Sequence, residues 1–556
     1  MRNADFVNHP VALALFASLM AASSICAQRA SPPDVIFTGS FITLDSLRPR
    51  AEAMAVRRGT IIAIGSRAQV DSMAGPSTKY VDVPGVALPG FADAHAHPLL
   101  LGALLEMADL HRLSKAAMLQ RVRQSISSTP AGQWIRGDGW DQSFWQPPEF
   151  PTAADLDSIS LGHPIYLTRI DGHAVWLNSH ALRMAGITRA TADPSGGRIV
   201  RDPSGAPTGI LVDAAIDLVT RALPVQSPAT IERRLRAACA QYVRWGLTSV
   251  HDAGEPLSVV SVYRSMAKRG ALPLRIYLMV SADGTDLAPT FANGPQIGLG
   301  GGMLTIRSVK LVLDGALGSR GAELSSPYND ARDERGLVIV SDSALDSIIA
   351  RAVARGFQVN AHAIGDAANH RMLDAFERAG AATRVLRFRD EHVSMLRDED
   401  VPRLARMGVI ASMQPVFVGE YSRFAEARVG ADRLKWVYRT RDVFESGAVI
   451  ASGTDYPASD VGDPVSTLFS MVTRRGPDGT PAAGWLPEQS LGVDAALRSM
   501  TSGPAYAAFQ EKELGALTVG RLADFTALSA DPHAVAASEL RSLRVLMTVV
   551  GGRVRH

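Results

Sequence analysis

His95 and His97, two residues apart in Phe91-Ala92-Asp93-Ala94-His95-Ala96-His97-Pro98, are the side chains of this chain best spaced to do chemistry. The run Val86-Ala87-Leu88-Pro89-Gly90 leads into them, and on a strand that spacing puts both imidazoles on one face at its C-terminal end. A paired nitrogen donor of this kind suits a divalent ion such as zinc, although His-x-His alone equally describes a surface pair or a hydrogen-bonded core pair. Other segments end in the same manner. Thr305 to Val312 holds Lys310 among core-type residues, Gly356 to His362 and Leu386 to His392 end in histidine, and Ala448 to Asp455 ends in aspartate.

These groups need elements to deliver them. Helical patterns at 343–355 and 369–379 lie between the apolar segments, so strand and helix alternate, which predicts parallel strands with helical crossovers. Eight strands are expected, at 86–92, 247–251, 274–280, around Lys310, 357–361, 386–390, 409–414 and 448–453. The predicted fold is therefore an α/β (β/α)8 TIM-like barrel, in which catalytic groups collect at the C-terminal ends of the strands. An open doubly wound sheet would gather them near one switch point. Neither a Gly-x-Gly-x-x-Gly after a strand nor a phosphate-loop lysine motif is present.

The segments carrying these residues resemble the metal-dependent amidohydrolase superfamily, and within it the amidohydrolase 3 or YtcJ-like family that includes N-substituted formamide deformylases. The matching blocks are Pro89 to His97, Arg169-Ile170-Asp171-Gly172-His173 through Ser179, and Lys310 through Asp314-Gly315 to Arg320. His362-Ala363-Ile364-Gly365-Asp366, Glu391-His392, Gly453-Thr454-Asp455-Tyr456-Pro457 and Gly520 to Phe525 follow in order. Two departures stand out. Phe388-Arg389-Asp390 precedes Glu391-His392 where Arg-x-Arg-Ile is more usual, and Thr454 replaces a common serine.

The resemblance implies a centre of two divalent metal ions, with zinc the expected metal. His95 and His97 would hold one and His362 and His392 the second. An ammonium between two cations is disfavoured, so Lys310 is expected to be carboxylated by carbon dioxide and to bridge them; the alternative is a lysine paired with a barrel carboxylate and a single ion. Asp455 would carry the proton between an attacking water and a leaving nitrogen and could also touch a metal; otherwise it is a helix N-cap before Pro457. His173 could orient a substrate carbonyl or simply stabilise its loop. Arg320 and Asp314 either shape the pocket or form a buried salt bridge, Asp366 holds its helix or supports His362, and His251 stands behind the ligands.

Composition bounds the partners. The chain has 556 residues, 46% apolar, with 57 Lys plus Arg against 55 Asp plus Glu, a balance that argues against a nucleic-acid surface and offers no strong steering. Its two cysteines, Cys26 and Cys239, cannot make a disulfide framework. Arg2, the apolar run Val11 to Ala22 and the small residue Ala27 before Gln28 read as a signal peptide over 1–27, with lipidation of Cys26 a lesser alternative. Export to the periplasm of a Gram-negative bacterium, or secretion, is expected, with no stable transmembrane segment afterwards.

Period-two patterns at 34–43, 53–65 and 543–554 read as hairpins. A small composite β-sandwich from 31–85 and 510–556 is expected beside the barrel of 86–509, with a subdomain inserted at about 100–240. Trp134, Trp140, Trp145 and Trp176 are available for its core or for the mouth of the site. The expected activity is hydrolysis of a non-peptide carbon–nitrogen bond in a small amide, N-formyl compound, cyclic amide or carbamate, by a chain that could dimerise. An esterase or lactonase using the same centre, or a metal-containing periplasmic binding protein, are the alternatives. No fixed pair of arginines announces an acidic substrate.

Overall fold

A computed structural model describes residues 31–556 except 112, 143, 144, 148, 170–173, 195, 196, 225 and 283–285. The expected signal segment and His173 lie outside the described residues. Eight strands, Phe91–Ala96, Leu247–Glu255, Arg275–Ser281, Leu304–Val312, Gln358–Ala363, Arg389–His392, Ile410–Met413 and Ile450–Ser452, pair in sequence order. Every neighbouring pair is parallel. The sheet is nearly closed: the Asp455 N–H donates to the His95 carbonyl at 2.6 Å, and a Cβ on Gly453 would fall 2.5 Å from the His95 nitrogen. Only a glycine lets the last strand come so close to the first.

Helices such as Leu257–Lys268, Asp342–Ala354 and Asp366–Arg378 cover the strands. Their apolar faces merge with the sheet into one large core containing Val260, Ile349, Val359, Phe376 and Leu404. Caps set where the helices begin, as at Ser341, whose hydroxyl accepts from the Ala344 N–H at 3.3 Å.

Both ends of the chain contribute to a second, seven-stranded sheet, in the order 553–554, 545–550, 525–528, 79–89, 35–42, 50–57 and 60–65. Phe37 and Phe525, from opposite ends of the sequence, meet edge-on with ring centroids 5.0 Å apart. Two expectations need correction. The first barrel strand begins at Phe91 and not at Val86, because Val86–Pro89 pair with Phe525–Leu528. Gly90 hands the chain from one sheet to the other; its N–H donates to the Asp524 carbonyl at 2.9 Å, and a Cβ there would meet Thr248 Oγ1 at 2.2 Å. Residues 34–43 form one strand, Val35–Ile42, with a register shift near Gly39, and not a hairpin.

Between the first two barrel strands lies a six-stranded sheet spanning residues 108–213. Trp140, Trp145 and Trp176 pack against one another in its core, with centroids 6.1–6.3 Å apart. Their indole N–H groups donate to the carbonyls of Leu167, Leu113 and Thr152 respectively. Among the described residues, no helix is long and apolar enough to cross a membrane.

Candidate metal centre

His95, Lys310, His362, His392 and Asp455 meet at the C-terminal end of the barrel, with His97 just beyond the first strand. Asp455 Oδ1 lies 3.0 Å from His97 Nε2 and 3.5 Å from His95 Nε2, and its Oδ2 lies 4.0 Å from His392 Nδ1. Lys310 Nζ is 3.2 Å from His95 Nε2. The His362 and His392 rings are 4.4 Å apart between centroids, and those of His95 and His392 4.7 Å. The structure thus gathers all six expected metal-centre residues, with His392 set between His95 and His362.

Strand geometry alone would not produce this. Consecutive strand residues face opposite sides, so Glu391 and His392 can both turn inward only if the backbone breaks its alternation. It does so at His392, with φ of 85°, and at Asp455, with φ of 62°. Non-glycine residues rarely adopt such values, and strain of this kind is held in place by surrounding contacts. Asp93 supplies several at strand eight: its Oδ1 accepts the N–H groups of His95 and Thr454, each at 3.0 Å, and its Oδ2 accepts the Thr454 hydroxyl at 2.6 Å.

Glu391 is the supporting residue that sequence reasoning missed. Its Oε2 lies 2.6 Å from His95 Nδ1, and Arg389 Nε lies 2.7 Å from its Oε1. A carboxylate so placed accepts the Nδ1 proton and leaves the His95 Nε2 lone pair facing the centre. Arg389, fully buried, also donates to the Ala94 carbonyl at 2.6 Å, to Ser412 Oγ at 2.9 Å and to His251 Nδ1 at 3.0 Å. His251 therefore stands behind the centre. Gln414 Oε1 plays the orienting part for His392, 3.0 Å from its Nδ1. The adjacency of Glu391 to His392 was visible in the sequence, but its direction was not.

Of the remaining candidates, Asp314 borders the cluster, with its Oδ1 3.5 Å from His362 Nε2, and Arg320 and Asp366 pair elsewhere. Arg320 pairs with Asp330 at 3.0 Å and not with Asp314. Asp314 accepts the backbone N–H groups of Glu323, Ile364 and Gly365, and burial raises its carboxyl to about 7. Asp366 opens its helix and accepts from the Ser325 N–H and Arg397 Nε, tying down the loop after strand four.

The donor set fits a metal. Donor atoms of His95, His392 and Asp455 lie within 4.8 Å of one another, and all three residues are buried. Among the described residues His362 Nε2 is buried without a hydrogen-bond partner, although Asp314 Oδ1 is 3.5 Å away. Burial first, and the Lys310 charge among the other causes, push His95 and His392 well below the usual imidazole range and His362 to about 3. Neutral imidazole is the form that ligates.

This geometry has close relatives. Residues 85–556 match the amidohydrolase family. The chain belongs to the amidohydrolase family. It is 33% identical to YtcJ of Bacillus subtilis (strain 168), over 93% of this chain and 98% of that protein. It is 27% identical to an N-substituted formamide deformylase of Arthrobacter pascens, over 94% and 98% of the two chains. An uncharacterized metal-dependent hydrolase from Pyrococcus horikoshii OT3 superposes with a TM-score of 0.76 at 27% identity, covering 90% of this chain and 99% of that one. The chain is thus a hydrolase of the amidohydrolase superfamily.

Proposed function

We propose that this amidohydrolase cleaves carbon–nitrogen bonds of small amides, N-formyl compounds, cyclic amides or carbamates, with Asp455 as the proton carrier. The carrying observation is the Asp455 carboxylate within 3.0–4.0 Å of three imidazoles at the end of strand eight. The formamide deformylase relative supports a nitrogen leaving group. His95, His97, His362, His392 and a carboxylated Lys310 would hold two divalent ions, zinc being the metal these donors suit. Such ions supply Lewis acidity, polarising a carbonyl and making water acidic enough to attack near neutral pH.

Asp455 takes a proton from the attacking water and returns it to the departing nitrogen. Glu391 and Gln414 keep His95 and His392 turned to the centre. Carboxylation of Lys310 requires its ammonium first to lose a proton; the neutral Nζ then bonds the carbon of carbon dioxide and releases a second proton, so that a cation facing the histidines is replaced by an anion. Incorporation of isotope-labelled bicarbonate, present in the native protein and absent from Lys310→Gln, tests that step.

The decisive experiment is a screen of N-formyl, N-acyl, carbamate, lactam and ester substrates with the native protein and Asp455→Ala, alongside metal analysis. Amide-type turnover that collapses in the variant, with about two ions per chain, is expected. Turnover of esters or lactones alone would overturn the carbon–nitrogen assignment, and amide turnover that survives would remove Asp455 from proton transfer.

A further inference from the structure

A cleft of about 310 Å³ opens between the barrel mouth and the inserted sheet. Helix Pro98–Leu104 provides one wall through Leu99, Leu100 and Leu104, and the inserted sheet provides the other through Arg136, Asp138 and Thr168. Pro457 also lines it. Leu99 follows His97 by two residues and Pro457 follows Asp455 by two, so part of the cleft is built from the backbone that delivers those side chains. Two residues of chain span at most about 7 Å.

Two arginines line the same cleft, and they differ in their surroundings. Arg234 Nε lies 2.8 Å from Glu106 Oε2. Arg136 has no ion pair among the described residues; its guanidinium lies 5.3 Å from the Tyr166 ring centroid, and its Nε is buried without a hydrogen-bond partner. Desolvation is the largest influence on it and lowers its pKa, with Arg234 adding like-charge repulsion and Tyr166, Asp138 and Glu106 acting the other way. Asp138, two residues along the same face, is approached by His111 Nε2 at 3.7 Å. A half-buried guanidinium with unused donors is costly unless an acceptor arrives, and its planar fork matches a carboxylate.

We infer that Arg136 receives a carboxylate of the substrate, so that the preferred amides carry an anionic group set off from the scissile bond by a hydrocarbon spacer lying along Leu99, Leu100 and Leu104. This rests on the hydrolytic reading above and adds the class of substrate. The spacer gains by covering apolar wall, and the carboxylate gains charge-assisted hydrogen bonds.

The test compares matched N-formyl amines of equal length, ending either in a carboxylate or in its methyl ester, on the metal-loaded enzyme. The native enzyme should prefer the carboxylate, and Arg136→Gln should reduce that ratio of kcat/KM values about 10- to 100-fold, mainly through KM, as expected for a binding contact shared by ground and transition states. Arg136→Lys, a point charge without the fork, should restore part of the ratio and carries the test if the glutamine variant does not fold. Absence of a preference in the native enzyme, or a ratio that survives both variants, overturns the assignment. If only esters are turned over, the same ratio read on ester pairs still decides Arg136 while the amide reading fails. Turnover of neither class overturns both.

Discussion

The barrel mouth and the core of the inserted sheet are both dense with aromatic rings, yet they are built to opposite rules. In the insert, Trp140 and Trp145 stack, Trp176 meets both edge-on, and each of these three indole N–H groups finds a backbone carbonyl. At the mouth, His362 Nε2 has no hydrogen-bond partner among the described residues, His392 and Asp455 sit at positive φ, and an amine faces an imidazole. Satisfied groups mark a region whose task is packing. Unsatisfied groups on strained backbone, held by Asp93, Glu391 and Gln414, mark a region shaped for something that binds.

The sharpest way to break that contrast is to remove chemistry from the mouth while leaving its shape. Asp455→Asn keeps the side-chain volume and loses the base, and kcat should fall about 100- to 10,000-fold in steady-state assays, with the thermal midpoint nearly unchanged. A large drop in stability with modest loss of turnover would make Asp455 a structural residue. The mirror experiment is Trp140→Ala in the insert. Deleting a fully buried indole should cost about 3–5 kcal/mol in denaturant unfolding and leave kcat per folded molecule close to native. Alkylation of Cys239 offers a second readout of unfolding, because burial pushes that thiol up to about 12 and keeps it inert until the chain opens. A fall in kcat would instead put the tryptophan in the substrate's path.

A smaller effect is expected one layer behind the metal. Glu391→Gln retains the size but weakens acceptance from His95 Nδ1, so metal affinity measured by chelator competition should drop about 10- to 100-fold. Unchanged affinity would mean that the strand alone aims His95.

What was legible in the sequence follows from the same contrast. Strand ends announced themselves because a polar residue closing an apolar run is costly unless it has a task, and this is why His95, Lys310, His362, His392 and Asp455 could be named together. The start of strand one was misread because Val86–Leu88 and Phe91-Ala92, on either side of Pro89-Gly90, read as one apolar run. The break at Gly90 changes sheets without changing pattern. Glu391 was hidden for a different reason, since period-two reasoning sends neighbours to opposite faces and only the backbone turn at His392 reverses this. The tryptophans could equally have lined the mouth or filled the insert. The N–H partners of Trp140, Trp145 and Trp176 are backbone carbonyls remote in sequence, which spacing does not reveal.

Thr454 offers the smallest perturbation and the finest discrimination between the two regions. It departs from the serine that the family resemblance leads one to expect, yet its hydroxyl donates to Asp93 Oδ2 at 2.6 Å and accepts from the Tyr456 N–H at 3.1 Å, so the bond that ties strand eight to strand one needs only an oxygen. Thr454→Ser keeps both bonds and loses one buried methyl group, so stability should fall by about 1 kcal/mol or less and kcat should hold. Thr454→Val keeps the volume and leaves Asp93 Oδ2, in a fully buried carboxyl that burial already raises to about 7, without that donor. It should cost about 1–3 kcal/mol and lower kcat as well, because the same link sets the approach of Asp455 to His95. Equal behaviour of the two variants, in melting and in turnover, would show that the strap of Gly453 against His95 closes the barrel by itself.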